Sequence, residues 1–298
     1  MSRRIDYTIP PEYDGCKLQR ILRGGVGCSY ALVRSLKTKE DGILLNGVRA
    51  RTIDRAHTGD QISITLHEQQ PQQFSRCEIA VEILYEDTDL IVYNKPAGMP
   101  CHPVRNLRED TLANVFATHC TSDGEPLTCR ILNRLDRDTT GAVLIAKNSF
   151  AAAALTGRVE KSYLALAGGT EFLQEGTIDA PLGQPDRTNP RRAVMEGGQR
   201  ALTHYQLLGT GEDYSLLRCV LETGRTHQIR VHMQYIGHPL LGDVLYQGAL
   251  GRMQRQALHC NWMAFWHPVN GKRVEIKASL PQDMQKWVSQ CKIHVKGA

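Results

Sequence analysis

The residues with the clearest chemical potential are a group of charges directly before an apolar run. In RLDRDTTGAVLIA, residues 134–146, Asp136 lies between Arg134 and Arg137, and a second acid, two threonines and a glycine follow. A carboxylate kept ionised by cations can act as a nucleophile or stabilise positive charge. A turn aspartate paired to a neighbouring arginine is the simpler alternative.

The number of carboxylates limits the chemistry of this group. A glycosidase uses two carboxylates that flank the bond to be cleaved, and the chain has no second carboxylate motif of comparable strength. One aspartate among several arginines is better suited to glycosidic chemistry on an anionic polymer whose base is not lost.

A second motif, GRTHQIRVH at 224–232, combines cations with a predicted helix. Its two histidines are five residues apart, unlike the four-residue spacing of a zinc-binding helix, so we expect no metal. Thr226 is predicted to cap a helix that starts at His227. Arg230 then lies beside the buried stripe and requires a carboxylate. Asp136 is the predicted partner, and a purely structural pair with another acid is the alternative.

Two further segments complete the set. In KSYLALAGG, Tyr163 shares a strand face with Ala165 and Ala167, whose small side chains would leave room for a planar base against the ring. Periodicity alone favours a core tyrosine. NKPAGMPCHP at 94–103 is a Pro/Gly loop beside a strand, and such loops often carry function on a rigid scaffold.

Composition indicates a folded protein without a membrane segment. The chain has 298 residues, 41% of them hydrophobic, and a net charge of +5. Its nine cysteines are irregularly spaced without a CxxC pair, which favours reduced thiols in the cytoplasm over disulfides or a zinc site. We expect neither a signal peptide nor a membrane span, because no apolar run is suitable for either. We expect a monomer, and the lack of a Gly-rich phosphate loop or metal-ligand cluster in the sequence favours a protein without a cofactor.

Elements along the chain divide it into two parts. Residues 13–67 are predicted to form two short helices followed by strands, with Ser29 as a helix cap and Asn46-Gly47 as a tight turn. The polar segment 68–80 is the predicted linker. Residues 81–298 alternate strands and helices, and a hairpin is expected around Asn270-Gly271.

The N-terminal part is basic. Residues 17–55 contain nine Lys or Arg and three acids. The part resembles the small RNA-binding module of many ribosomal and RNA-modifying proteins, and it would hold RNA through phosphate contacts that do not depend on sequence. A solvated helical face is the alternative. The predicted RNA-binding residues are Arg20, Arg23, Arg34, Lys37, Arg49 and Arg51.

Six segments in order, over roughly residues 80–285, resemble the RluA family of RNA pseudouridine synthases. The family's His-Arg-Leu-Asp…Thr-Ser-Gly motif stands here as Asn133-Arg134-Leu135-Asp136…Thr139-Thr140-Gly141. Its Lys-x-Tyr-x-Ala motif is KSYLA at 161–165, and its Gly-Arg-x-His-Gln-Ile-Arg-x-His motif is matched in full at 224–232. NKPAG, GHPLLGDVLY and LHCNWMAFWHP also match.

The resemblance implies a fold, a reaction and roles for residues. The fold is α+β, with a central mixed, mainly antiparallel sheet flanked by helices. The reaction is isomerisation of uridine to pseudouridine in RNA, most commonly large-subunit ribosomal RNA, with transfer RNA as the alternative. Asp136, Tyr163 and Arg230 are the implied catalytic residues. The implied substrate-binding residues are Arg134, Ile229, His227, Arg225 and Lys161.

Other functions remain open at this point. An inactive RNA-binding protein on the same fold would lack the aspartate or its arginine, and this chain has both Asp136 and Arg230. A base-releasing glycosidase could also use one aspartate, but it would liberate free base. A purely structural ribosome partner would leave the three polar loop motifs unexplained.

Overall fold

The structure is a computed structural model that describes residues 2–67, 74–104, 108–122, 128–186, 188–248 and 253–290. Most of the chain's predicted elements fall within these ranges. The predicted linker at 68–80 lies partly outside the described residues, at 68–73, as do the last residues of the predicted second part, 291–298.

A four-stranded antiparallel sheet forms the N-terminal part. The strands are β1 (Ser2–Thr8), β2 (Ile43–Leu45), β3 (Val48–Arg49) and β4 (Gln61–His67). Their order is β1-β4-β2-β3, and β1 pairs with β4 from Ser2 opposite His67 to Thr8 opposite Gln61. The sequence pattern predicted a start at residue 13, so β1 is an additional strand that was not predicted.

Two short helices, α1 (Leu18–Gly24) and α2 (Tyr30–Leu36), belong to this part. Ser29 caps α2, as predicted, because its Oγ accepts a hydrogen bond from the backbone N–H of Leu32 at 3.1 Å. The inward face of α2 is formed by Val33 and Leu36, and Leu32 is half-buried.

A large sheet organises the rest of the chain. The strands are β5 (Ile83–Glu86), β6 (Leu90–Lys95), β7 (Arg130–Ile131), β8 (Thr140–Ala146), β9 (Glu160–Gly168), β10 (Glu175–Asp179), β13 (Leu202–Thr210), β14 (Tyr214–Leu221), β15 (Leu258–Trp266) and β16 (Arg273–Lys277). They run in the order β10-β13-β14-β9-β15-β8-β6-β5, and β16 and β7 pair at its sides with β15 and β8. Among the strands of the described ranges, only β15 and β8 pair in parallel, which confirms the predicted mixed, mainly antiparallel sheet.

Helices and one small hairpin accompany this sheet. Strands β11 (Leu182–Gly183) and β12 (Ala193–Val194) form a separate two-stranded hairpin. The strand β8, which contains the apolar run AVLIA, is buried along its whole length. The helices are α3 (Leu112–Ser122), α4 (Ser149–Leu155), α5 (Gln228–Tyr235) and α6 (Gln282–Gln290).

The N-terminal part packs directly against the larger part. Phe150, in α4, is 1% exposed and belongs to the hydrophobic core of the N-terminal part. Arg3, in β1, donates two hydrogen bonds to Asp89 at 3.0 and 2.9 Å. A shared core residue and a bidentate ion pair therefore join the two parts. Within the described residues, no helix has the length and apolar character that crossing a bilayer requires.

Candidate active site

The predicted site residues converge on one open cleft. Strand β9 forms one wall, the turn before β8 another, and the start of α5 a third. Seven of the eight predicted catalytic and substrate-binding residues line it: Arg134, Asp136, Tyr163, Arg225, His227, Ile229 and Arg230. Lys161 lies two residues before Tyr163 in β9 and is not among the lining residues.

A buried lysine anchors the turn that carries Asp136. Lys95, at the end of β6, is 0% exposed, and its ammonium group donates to three backbone carbonyl oxygens at 2.8 Å, those of Pro96, Met99 and Arg137. Burial lowers the pKa of Lys95 to about 8, against the opposing effect of Cys101, Asp138 and Asp136. The lysine ties the NKPAGMP loop to the residue that follows Asp136.

Cys101 holds the other side of the same turn. Its Sγ lies 3.4 Å from both the backbone oxygen and the backbone nitrogen of Leu135, the residue before Asp136. The thiol is 4% exposed, and burial raises its pKa. Lys95 and Cys101 therefore hold the peptide groups on both sides of Asp136, which gives the NKPAGMPCHP segment a definite role in positioning.

The glycine that ends the RLDRDTTG motif allows a close approach between strands. Gly141 has φ +112°, and a Cβ atom there would lie 2.2 Å from the backbone oxygen of Cys260. The two residues face each other in the parallel pairing of β8 and β15. A side chain at position 141 would separate these strands and displace the turn above them.

Arg230 connects Asp136 with a second, deeper acid. Its Nη1 donates to Asp136 Oδ2 at 2.9 Å, as the sequence predicted. Its Nε and Nη2 donate to both oxygens of Asp243 at 2.7 and 2.9 Å. Arg230 therefore also pairs with a second acid, which was the alternative to Asp136. Burial lowers the pKa of Arg230, but Asp243 and Asp136 outweigh it, and the pKa is raised. Two of its nitrogens are held by Asp243, and the third, Nη1, donates to Asp136.

His227 directly precedes α5 and has a backbone conformation that the sequence did not predict. The expected helix start at His227 with a Thr226 cap is wrong. The helix begins at Gln228, and His227 is the N-cap residue, with φ 59° and ψ 18°. This left-handed conformation is uncommon for a non-glycine residue. It brings Nε2 of the imidazole to 3.8 Å from Asp136 Oδ2.

The surroundings of His227 favour its neutral form. Burial lowers the pKa of His227, and the charge of Arg230 adds to this effect while Asp136 opposes it. The other histidine of the motif, His232, is fully buried and has both ring nitrogens engaged, with Thr203 Oγ1 at 2.8 Å and the Ala180 carbonyl at 3.0 Å. The two histidines therefore have separate structural surroundings.

Tyr163 forms the wall of the cleft on β9. It is 6% exposed and lies on the same buried face as Ala165 and Ala167, which are both 0% exposed. Burial, followed by Cys260 and Asp136, raises the pKa of Tyr163 well above its usual value. The raised pKa favours a neutral hydroxyl, and the two alanines lie in the core outside the residues that line the cleft.

Two arginines lie at the mouth of the cleft. Arg134 and Arg225 are exposed, whereas Ile229, on the first turn of α5, is 3% exposed and forms part of the floor. Arg225 donates from Nε to the backbone oxygen of Arg200 at 3.1 Å. A polyanion entering the cleft would thus meet guanidinium groups before it reached the buried charges.

Asn133, which occupies the position of the family's histidine, has a structural role. It is 6% exposed and donates from Nδ2 to the Ala142 carbonyl at 3.0 Å. Its Oδ1 accepts from the backbone N–H of Leu144 at 2.8 Å. The amide thus joins the turn to β8 and is not among the residues that line the cleft.

Sequence reasoning missed four residues of the site. Three of them, Lys95, Cys101 and Asp243, hold Asp136 or Arg230 as described above. The fourth is Tyr246, in a 3-10 turn at Val244–Tyr246, which is 0% exposed and has Arg230 over its ring at 5.1 Å. Asp243 and Tyr246 stand in GHPLLGDVLY, a segment that matched the family as a whole, and this match was the one available signal.

The predicted RNA-binding cations of the N-terminal part are all exposed. Arg51 pairs with Asp54 at 3.3 Å, and Arg23 lies over the ring of Tyr30 at 5.9 Å. Tyr30 is 65% exposed at the start of α2 and was not predicted as a surface feature. An exposed aromatic ring beside cations is a suitable surface for nucleic acid.

One group of side chains is close enough to share a metal ion. Asp87, Asp89 and His267 place one ligand atom each within 4.8 Å of the others. Each carboxylate is already engaged, since Asp87 accepts from His267 at 2.8 Å and Asp89 accepts from Arg3. The group lies outside the cleft and serves to join the two parts of the chain.

Comparison with known proteins identifies the family of the chain. A family model described as RNA pseudouridylate synthase matches residues 89–235. The uncharacterized RNA pseudouridine synthase YhcT of Bacillus subtilis is 36% identical over 95% of this chain and 96% of its own length. The ribosomal large subunit pseudouridine synthase D of Zymomonas mobilis is 40% identical over 70% of this chain and 72% of its own.

Solved structures agree with the fold. The human RNA pseudouridylate synthase domain containing 4 aligns with a TM-score of 0.60 over 72% of this chain and 94% of its own, at 22% identity. The human RNA pseudouridylate synthase domain containing 1 aligns with a TM-score of 0.56 over 73% of this chain and 89% of its own, at 26% identity. The chain belongs to the RNA pseudouridine synthases, the enzymes that isomerise uridine in RNA to pseudouridine.

Proposed function

We propose that this enzyme isomerises uridines of large-subunit ribosomal RNA and that Asp136 is its catalytic carboxylate. The observation that carries the assignment is the position of Asp136, whose side chain is 25% exposed to the cleft while Arg230 holds it from the buried side. Of the charges around the cleft, it is the carboxylate that a substrate could reach, because Asp243 behind it is 1% exposed.

The reaction needs little more than this carboxylate and a shaped cleft. Asp136 drives the cleavage of the glycosidic bond, the freed uracil rotates, and ribose C1′ bonds to C5 of the same base. The proton on C5 then leaves, and N1, which has lost its bond to the ribose, takes up a proton, so the product has the mass of the substrate. Each step is a bond exchange within one nucleotide, and none requires an electron donor or a second substrate.

Tyr163 supports the base during this exchange. Its ring lines the cleft, and stacking on an aromatic ring keeps a pyrimidine in plane while it rotates. The raised pKa of Tyr163 favours a neutral hydroxyl, so we assign the residue a stacking role rather than a role in proton transfer. Ile229 closes the floor beneath the base.

The cations at the mouth help to bring the uridine in. A target base has to leave its stack before it can reach Asp136, and extrusion costs roughly a few kcal/mol. Phosphate contacts from Arg134 and Arg225 would offset this cost, because both guanidinium groups are exposed at the opening of the cleft.

The N-terminal part would bind a second region of the RNA, outside the cleft. Its exposed cations attract phosphates without reading sequence, and Tyr30 offers a ring for an unpaired base. The packing of Phe150 into this part fixes its position relative to the cleft. Two relatives of the chain, from Zymomonas mobilis and Haemophilus ducreyi, are named as ribosomal large subunit pseudouridine synthases, which favours that substrate, modified in the cytoplasm.

Tritium release tests both halves of the proposal. Large-subunit ribosomal RNA labelled at uracil C5 is prepared from a strain without this enzyme and incubated with the wild type or with Asp136→Asn. The wild type should release tritium and no free uracil. Asp136→Asn should lose at least about 1,000-fold in turnover while it still binds the RNA.

Each other outcome has a definite meaning. Full activity of Asp136→Asn would overturn the assignment of the carboxylate. Free uracil would indicate a base-releasing glycosidase, and binding without release by the wild type would indicate an inactive RNA-binding protein. Release from labelled transfer RNA alone would overturn the choice of ribosomal RNA.

A further inference from the structure

Tyr246 is a fully buried residue that contacts the site without lining the cleft. Its hydroxyl lies 2.8 Å from the backbone nitrogen of Arg192, in the hairpin region that contains β11 and β12. The same hydroxyl lies 2.9 Å from Nδ1 of His227. The tyrosine therefore stands between a surface hairpin and the imidazole that faces Asp136.

Counting the protons decides which group donates in each contact. The backbone N–H of Arg192 can only donate, so the Tyr246 oxygen accepts there. The phenolic oxygen has a second lone pair, but among the described residues the phenolic proton has Nδ1 of His227 as its one acceptor, so the buried hydroxyl is fully hydrogen-bonded only when it donates there. With Nδ1 accepting, the single proton of the neutral imidazole is on Nε2.

The Nε2 atom is the one that faces the reacting centre. Both protein groups that approach the Asp136 carboxylate do so at Oδ2, with Arg230 Nη1 at 2.9 Å and His227 Nε2 at 3.8 Å. Among the described residues no donor contacts Oδ1. An N–H at Nε2 attracts Oδ2 toward the histidine side, whereas a lone pair there would repel it.

We propose that Tyr246 is a positioning residue, which sets the Nε2–H tautomer of His227 so that Asp136 directs its free oxygen Oδ1 at the ribose. The backbone of His227 supports this arrangement, because its left-handed conformation, with φ 59°, is maintained only if the surrounding contacts hold it. Arg230 fixes Oδ2 electrostatically, and the histidine defines which way the carboxylate turns. This inference rests on the proposed role of Asp136.

Nitrogen NMR measures the tautomer directly and needs no substrate. Long-range ¹H–¹⁵N spectra of protein labelled at its 11 histidines distinguish the two neutral forms, and His227→Ala identifies the signals of His227. The wild type should show a protonated Nε2 and an accepting Nδ1. Tyr246→Phe should shift these signals toward a mixture. A protonated Nδ1 in the wild type, or unchanged signals in Tyr246→Phe, would overturn the proposal.

A double-mutant cycle then shows whether Tyr246 acts through the histidine. Tyr246→Phe should lower kcat on the order of tenfold with KM for RNA unchanged. In the His227→Ala background the same substitution should have no further effect. If the two losses multiply instead, Tyr246 acts through the Arg192 hairpin and the proposal fails.

A matched control separates the loss of a buried hydroxyl from the loss of this one. Tyr214 is 1% exposed, and its hydroxyl donates to the Trp287 carbonyl at 3.1 Å. Tyr214→Phe should leave both the His227 signals and kcat as they are in the wild type. The NMR result does not depend on the assignment of Asp136. If Asp136→Asn were active, the catalytic role of Asp136 would be overturned, but the tautomer of His227 measured in the wild type would be the same.

Discussion

Two arginines in different regions of the molecule each donate three hydrogen bonds to two carboxylates, but one arginine is buried and the other is partly exposed. Arg230, in the cleft, donates three hydrogen bonds to two carboxylates, those of Asp243 and Asp136. Arg273, in the hairpin of β15 and β16, also donates three, to Glu160 and Glu275. The side chain of Arg230 is 8% exposed and that of Arg273 is 35% exposed.

Burial decides what these equal sets of bonds do. Around Arg273, water can take the place of each partner, so the group adds little to stability. Around Arg230, water has been excluded from Asp243, and removing the arginine would leave a charge without compensation. The buried cation therefore fixes geometry, whereas exposed cations remain available to a polyanion.

Replacing each arginine by methionine gives the largest expected difference. Arg230→Met should lower the free energy of unfolding by about 3–5 kcal/mol, because Asp243 stays buried and unpaired, and should abolish measurable tritium release. Arg273→Met should leave both the stability and the turnover close to those of the wild type. Urea unfolding and tritium release measure the two quantities.

A double variant sharpens this result. Arg230→Met with Asp243→Leu removes both charges and should recover much of the stability but none of the turnover. Equal stability losses for Arg230→Met and Arg273→Met would show that burial is not the deciding factor. Recovered turnover in the double variant would show that Asp136 does not need Arg230.

The sequence predicted the contact between Arg230 and Asp136, and it predicted the two helices followed by strands in the N-terminal part. Local rules were sufficient where the determining interactions are local, as in the Asn46-Gly47 turn, where both residues have positive φ. They failed for β1, whose partner β4 lies more than fifty residues further along the chain. Nothing in a charged segment such as SRRIDYT identifies that partner.

The same limit explains the errors in the site. The Thr226 cap follows a local preference, but His227 is the N-cap residue in the left-handed region, and its side chain contacts Tyr246 from another segment. Lysine is normally an exposed residue, so Lys95 gave no sign that it is fully buried among carbonyl oxygens. The missed residues act through partners that are distant in sequence.

Lys95 extends the comparison to a buried cation without a carboxylate. Its pKa is lowered to about 8, and above that pH a neutral amine has two N–H groups for three carbonyl oxygens. We expect kcat to fall as pH rises through about 8, because the turn that carries Asp136 loses one of its hydrogen bonds. Tritium release measured between pH 7 and pH 9.5 tests this.

Stability should change in the opposite direction over this range. The pKa of Lys95 is lower in the folded chain than its ordinary value of 10.5, so between about 8 and 10.5 the unfolded chain binds more protons. Its contribution to the free energy of unfolding therefore rises with pH there, and the loss of kcat is not a sign of unfolding. If kcat in Lys95→Met keeps the same fall near pH 8, another group causes it.

The exposed cations of the N-terminal part give the smallest expected effect on turnover. Arg34 and Lys37 are both exposed on or directly after α2. Charge reversal, Arg34→Glu with Lys37→Glu, should weaken RNA binding and reduce the slope of log K against log salt by roughly 0.7–0.9 for each phosphate that is no longer neutralised. The value of kcat at saturating RNA should stay unchanged, because no group in the cleft is altered.

A matched reversal in the larger part completes this test. Lys272 and Lys286 are also exposed cations, and Lys272→Glu with Lys286→Glu changes the net charge of the chain by the same amount. If both double variants reduce the salt slope equally, net charge attracts the RNA and the N-terminal part has no special role. A reduced salt slope for Arg34→Glu with Lys37→Glu alone, with kcat unchanged, would mean that the exposed cations of the N-terminal part bind the RNA. The buried cations would then act only in positioning Asp136.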